Sequence, residues 1–390
     1  MNEDLFIIKA STLKPADEDL NLLRTLAVNG LDWPELYKKA WMHGVTPLMY
    51  HTLTKNSLSD ILPQDCYADF KSDYYQTAIR NSNLLQIIDR VANKVKKKII
   101  LLKGADLTQY LYPSIGIRPM GDIDILVERE DAQLIREQLY EDEDVTKEIF
   151  KSSVHKKLIE IMTKEQTARV THLPAVLYRY GALEIHWHLF GGTDSYYLTK
   201  NALNSAFSAK KSNYIYRLSP EFMLLHLCSH LYSHASRVLC LRMFCDINEL
   251  LRNHESVIDW EVVYENTKSI DFKEKIFTVL LLVRSIFKTP LPEIILKENK
   301  LLMECVSLDS LRNGFLPKET ALVNNKFSEY IINIKKLKKQ SDRLLLLYRT
   351  LFPEKEWLEY YYQETNTCKN TENLSARFFF EYLKNKFNSS

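Results

Sequence analysis

Asp122 and Asp124 stand one residue apart in the run GDIDILV, and Lys103-Gly104 precedes them at the end of the apolar run IILL. Side chains on a strand alternate between faces, so the Asp-x-Asp spacing sets both carboxylates on one side, with Ile123 and Ile125 on the other. Two carboxylates that close repel, and the neighbouring like charge favours protonation of one of them. A hard divalent cation removes the conflict. Magnesium in particular is usually held by one or two carboxylates together with the phosphates of its substrate. A later segment, ALEIHWHL, separates Glu184, His186 and His188 from Leu183, Ile185, Trp187 and Leu189. A face carrying a glutamate and two histidines is expensive to bury without partners, so it is expected to line a cleft, with His172 of THLP beside it.

Each of these residues also has a plainer reading. An Asp-x-Asp is found on many exposed strands, Lys103-Gly104 alone is a turn, Arg118 could pair with Asp122, and Glu184 could pair with Arg179. What singles them out is their joint order at the ends of expected strands and turns. Residues 99–102 read as a buried strand, 105–112 as a short helix ended by Pro113, Gly116 and Pro119, and 122–127 as a second strand.

The elements around them read as mostly helical. Asp17 or Asp19 can cap a first helix, Trp33-Pro34 opens another, and residues 64–98 form a long one whose core stripe is Tyr75, Ile79, Leu84, Ile87, Ile88 and Val91. After a helix over 130–139, EDED at 141–144 reads as a solvated acidic loop, and 156–162 alternates weakly. Ser219-Pro220-Glu221 is a cap, a proline and an acidic first turn in sequence, and the helix it opens stacks His226, His230 and His234 at intervals of four. An H-x-x-x-H pair can hold zinc, but the metalloprotease form needs a glutamate where Leu227 stands. Histidines that hydrogen-bond between helices are the plainer reading. Arg242 and Asp246 are spaced for an intrahelical ion pair. The lysine-rich helices of the last third and the run WLEYYYQ read as solvated faces over an aromatic core.

Composition bounds the rest. The 390 residues are 46% hydrophobic and 26% charged with a net charge of only +2, so no global basic field argues for nucleic acid. Six cysteines without a C-x-x-C pair suit free thiols in a reducing compartment. With neither a leader pattern nor a long apolar run, the expectation is a soluble, cytoplasmic protein that does not engage a membrane.

The order strand, Lys-Gly turn, helix, Arg, Asp-x-Asp strand resembles the nucleotidyltransferase superfamily, whose fold is shared with DNA polymerase beta and kanamycin nucleotidyltransferase. Lys103, Gly104, Arg118, Asp122, Asp124 and the Glu184-x-His186-Trp187 strand are similar to a largely uncharacterised bacterial family within it. Gly104-Ala105 departs from the usual Gly-Ser or Gly-Gly turn. The resemblance implies transfer of a nucleoside monophosphate from a nucleoside triphosphate, ATP being the expected one, to an acceptor hydroxyl, with pyrophosphate leaving. It implies Asp122, Asp124 and Glu184 as catalytic residues holding two divalent ions, Mg2+ or Mn2+, with Glu184 ordering the ion that activates the nucleophile. Lys103, Gly104, Arg118, His172 and His186 are then the nucleotide-binding residues. The acceptor, whether small molecule, protein or RNA, is left open.

The expected architecture is α+β: a helical segment over 1–98, a catalytic core with a small mixed sheet over 99–215, and a helical domain over 216–390. The alternative is a nucleotide-binding or protein-interaction module on the same fold without transfer activity, a reading that Ala105 permits.

Overall fold

The structure, a computed structural model, describes residues 2–139, 141–145, 172, 175–190, 195–209, 212–234, 240–268 and 270–297. All of them belong to one compact unit, 1–147 with 168–319; a second unit, 148–167 with 320–390, lies outside the described residues. The weak alternation at 156–162, the lysine-rich helices and the aromatic run WLEYYYQ fall there too. Thirteen α-helices and a six-stranded mixed sheet make up the described part, so the α+β expectation holds.

Five helices precede the sheet: α1 (Asn2–Ala10), α2 (Asp17–Val28), α3 (Trp33–Met42), α4 (Thr46–Lys55) and α5 (Gln64–Val95). In α3, Asp32 caps the helix by accepting from the Glu35 amide and Pro34 occupies the first turn, as its sequence dictates. In α5, Leu84, Ile87, Ile88 and Val91 are buried, but Tyr75 and Ile79 are 54% and 65% exposed. The expected stripe is therefore half right. The buried face of this 32-residue helix shifts around its axis, and its middle is anchored by a polar residue, Asn81, instead.

The sheet runs β3 (Val176–Tyr178), β4 (Gly181–His186), β2 (Ile123–Leu126), β1 (Ile99–Leu101), β6 (Ile215–Arg217), β5 (Phe207–Ser208). β1 and β2 pair antiparallel, while β2 pairs parallel with β4 and β1 parallel with β6. The strands β1 and β2 are buried at every position, as their near-continuous apolar sequences require. Between them lies α6 (Lys103–Tyr110), and after β2 comes α7 (Arg129–Leu139). The acidic loop beyond α7 is pinned by Arg90, which pairs with Asp142 and Asp144.

The remaining helices are α8 (Ser195–Ser205), α9 (Pro220–His234), α10 (Leu241–Asn253), α11 (Trp260–Glu265), α12 (Ile270–Phe287) and α13 (Glu293–Lys297). One apolar cluster takes in Phe6, Leu36 and Phe70 from the first helices, Ile100 and Leu126 from the sheet, and Leu224, Phe244 and Phe277 from the later ones. No helix among the described residues is long and apolar enough to cross a membrane.

Candidate active site

The parallel pairing of β2 with β4 puts Asp124 directly opposite Glu184. Side chains opposite each other on one face approach to about 5 Å at Cβ, so two elements 60 positions apart deliver their carboxylates to one spot. Asp124, Glu184 and His186 each offer a ligand atom, and those atoms lie within 4.8 Å of one another. His186 is the link. Its Nε2 stands 3.0 Å from Asp124 Oδ1 and 3.4 Å from Glu184 Oε2.

The charges explain the protonation states. Burial would raise Asp124, but the Lys103 ammonium, 3.1 Å away, and His186 outweigh it and hold the carboxyl well below its ordinary range. The hydrogen bond from His186 likewise lowers Glu184. His186 would be lowered by burial, yet its hydrogen bonds to Asp124 and Glu184 win and raise it. Asp122 differs. It precedes β2 and is exposed as a residue, but partial loss of water around its carboxyl, together with the charge of Asp124, raises it. It is close enough to feel Asp124, Glu184 and Lys103, but is outside the tight three-residue cluster.

Lys103 opens α6 with φ at +40°, a left-handed conformation that costs a residue with a side chain about 1–2 kcal/mol. Its ammonium is tied to Asp124, so the strained residue joins the turn at the start of α6 to the carboxylates. Gly104 follows, and its lack of a side chain is required. A Cβ there would lie 2.6 Å from Arg118 Nη1 and 3.1 Å from Met120 Cγ.

Arg118 is not paired with Asp122. Its Nε and Nη2 donate to Asp246 of α10 at 2.8–3.0 Å, and both residues are buried. Burial would lower the guanidinium, but Asp246 raises it. Tyr112 donates to the same carboxylate at 2.9 Å. The expected Arg242–Asp246 pair within α10 does not form, because Asp246 faces Arg118 and Arg242 donates to the Pro119 carbonyl instead. The loop before Asp122 is thus held from α10. It is held equally from α5, a contact the sequence reading missed: Asn81 Nδ2 donates to the carbonyls of Ile115 (2.7 Å) and Arg118 (2.8 Å), and its Oδ1 accepts from the Met120 amide at 3.2 Å. In sequence Asn81 is one polar residue among many in a mixed helix, flanked by Arg80, Ser82 and Asn83, and only the structure shows it fully buried.

His172 forms an isolated bridge with His186, and their rings lie 4.9 Å apart. His188 was expected on the face of Glu184 and His186; β4 instead ends at His186, and His188 lies beyond the strand, buried. Of the α9 histidines, His226 and His230 have rings 6.3 Å apart, and His226 uses Nδ1 on the Leu189 carbonyl. The three-histidine zinc arrangement does not appear among the described residues, and the side chain of His234 lies outside them.

The carboxylate oxygens of Asp124 and Glu184 suit a hard divalent ion such as magnesium or manganese, and His186, hydrogen-bonded to both, orients them. The residues present therefore fit a divalent metal. In comparison with known families, the family described as uncharacterised nucleotidyltransferase matches residues 29–288. Comparison with curated proteins and with solved structures found no match.

Proposed function

The chain is a member of this uncharacterised nucleotidyltransferase family, and from that premise we propose that it transfers a nucleoside monophosphate from a nucleoside triphosphate to an acceptor hydroxyl, releasing pyrophosphate. The observation that carries the reading is the in-register pairing of Asp124 with Glu184, bridged by His186 and faced by Lys103.

Asp122, Asp124 and Glu184 would hold divalent ions, magnesium or manganese, which lower the charge on the attacking and leaving oxygens. The side chains and backbone do the rest. Lys103, at the start of α6, offsets charge on the triphosphate, and the helix N-terminus beside Gly104 favours an anion. His186 keeps Asp124 and Glu184 ionised and oriented, and His172 backs its ring. Arg118 braces the loop that carries Asp122, its guanidinium engaged by Asp246. The acceptor oxygen forms a bond to the α-phosphorus as the bond to pyrophosphate breaks, and the hydroxyl proton passes to a neighbouring carboxylate. ATP is the proposed nucleotide. The acceptor is a small molecule, a protein or an RNA end.

The test is pyrophosphate release from each nucleoside triphosphate with panels of small hydroxyl compounds, proteins and RNA. Release by wild type that disappears in Asp124→Asn supports transfer. Nucleotide binding without release on any panel would replace this reading with the non-catalytic module.

A further inference from the structure

A second ion pair lies behind the turn that carries Lys103 and Gly104. Asp106 of α6 is buried, and its carboxylate accepts from Arg217 of β6 at two points, from Nε at 2.6 Å and from Nη2 at 3.0 Å. The same guanidinium lies 4.2 Å from the centre of the Tyr110 ring and 5.5 Å from that of Phe207 in β5. Asp106 and Tyr110 are four positions apart, so they share one face of the helix. Arg217 therefore holds this eight-residue helix at two points one turn apart, which fixes its direction as well as its place. β6 runs parallel to β1 with Arg217 opposite Leu101, and Leu101 is opposite Ile125. Alternation then puts Arg217 on the face of the sheet turned away from Asp124 and Glu184. On the other side of the turn, the Lys103 ammonium reaches Asp124 at 3.1 Å, and Arg118 Nη1 leaves no room for a Cβ at residue 104. A left-handed residue such as Lys103, with φ at +40°, persists only where its surroundings over-determine it, and here they pin it from both sides.

We propose that Arg217 and Asp106 are positioning residues for the nucleotide: their forked pair holds α6 so that the Lys103 ammonium and the start of the helix stay aimed at the triphosphate. The inference rests on the nucleotidyltransferase reading. Neither residue touches the nucleotide; both act through α6. A bidentate guanidinium–carboxylate pair fixes geometry as well as contributing energy. As a device for stability alone it would be a poor one, because apolar residues of similar volume often replace a buried ion pair without loss. Without the pair, α6 is free to turn about its N-terminal end, Lys103 relaxes toward the right-handed region, and its ammonium moves with the backbone.

The experiment compares stability and binding in the full chain, using Arg217→Met and the double variant Asp106→Leu/Arg217→Met. Urea unfolding should show the single variant destabilised and the double variant restored toward wild type. Calorimetry with manganese and a non-hydrolysable ATP analogue should show both variants binding the nucleotide about tenfold more weakly, the loss of one charge-assisted contact from Lys103. Manganese alone should bind the double variant as it binds wild type, because Asp124 and Glu184 stand on β2 and β4. A purely structural pair predicts instead that affinity recovers along with stability. Arg217→Lys keeps the charge but loses the fork, and it too should bind the nucleotide more weakly; it carries the test if the other variants do not fold. Wild-type nucleotide affinity in the folded double variant or in Arg217→Lys, or loss of manganese binding together with nucleotide binding, would overturn the positioning role and leave the proposed function standing. Absence of any nucleotide binding to wild type would overturn both.

Discussion

Replacing Asp246 with alanine should be among the most damaging single changes in this chain, although the residue lies on a helix remote in sequence from the Asp-x-Asp strand. Asp246 takes three close donor contacts from Arg118 and one from Tyr112, and all three residues are buried. Removing it strands a guanidinium away from water, which costs about 3–5 kcal/mol, and the orphaned tyrosine hydroxyl adds about 1 kcal/mol. Against a typical total of about 5–15 kcal/mol, that is a third or more of the stability. In urea, with a slope of about 2 kcal/mol/M, the unfolding midpoint should fall by about 2–3 M. The double variant Arg118→Met/Asp246→Leu, which removes both charges together, should recover most of the loss. A midpoint within about 0.3 M of wild type for Asp246→Ala, or a double variant no more stable than the single, would refute the view that this buried pair braces the loop before Asp122.

Gly104→Ala places a Cβ 2.6 Å from Arg118 Nη1, so thermal unfolding should show a loss of about 1–3 kcal/mol. Asn81→Leu leaves the carbonyls of Ile115 and Arg118 without their donor; urea unfolding should register a drop of about 2 kcal/mol or more, and metal-dependent nucleotide affinity should fall with it. His226 is lowered on folding from 6.5 to about 3, so its neutral form contributes stability that is complete above pH 6.5 and lost as the pH falls toward 3. Unfolding of wild type and His226→Phe across that window should show wild type losing up to about 1.4 kcal/mol per pH unit relative to the variant, and parallel curves would contradict it.

How far the sequence could be read depended on how local each feature was. The faces of β2 and β4 follow from side-chain alternation alone, so Asp124, Glu184 and His186 were legible as a polar face before any pairing was known. Strand β4 ends at His186, short of the end of the alternating segment at Leu189, because no alternation rule announces where a strand stops. The partner of Arg118 is 128 positions away on α10, and Arg242 stood closer to Asp246 in sequence, so the local pair was the natural and mistaken expectation. Asn81 offered only a polar residue in a helical pattern; its three backbone contacts exist because the loop over 113–121 folds onto α5. Tyr75 and Ile79 fit a helical stripe by spacing, but which part of a long helix is covered depends on what packs against it.

The measurement that bears most directly on the central claim is calorimetric titration of magnesium with each nucleoside triphosphate into wild type and into the Asp122→Asn/Asp124→Asn variant, with folding of both checked by thermal unfolding. Wild type should bind a nucleotide in a metal-dependent manner, and the folded variant should bind none. Binding that survives unchanged in the variant, or a wild type that binds no nucleotide with any metal, would contradict the placement of the site at the pairing of Asp124 with Glu184.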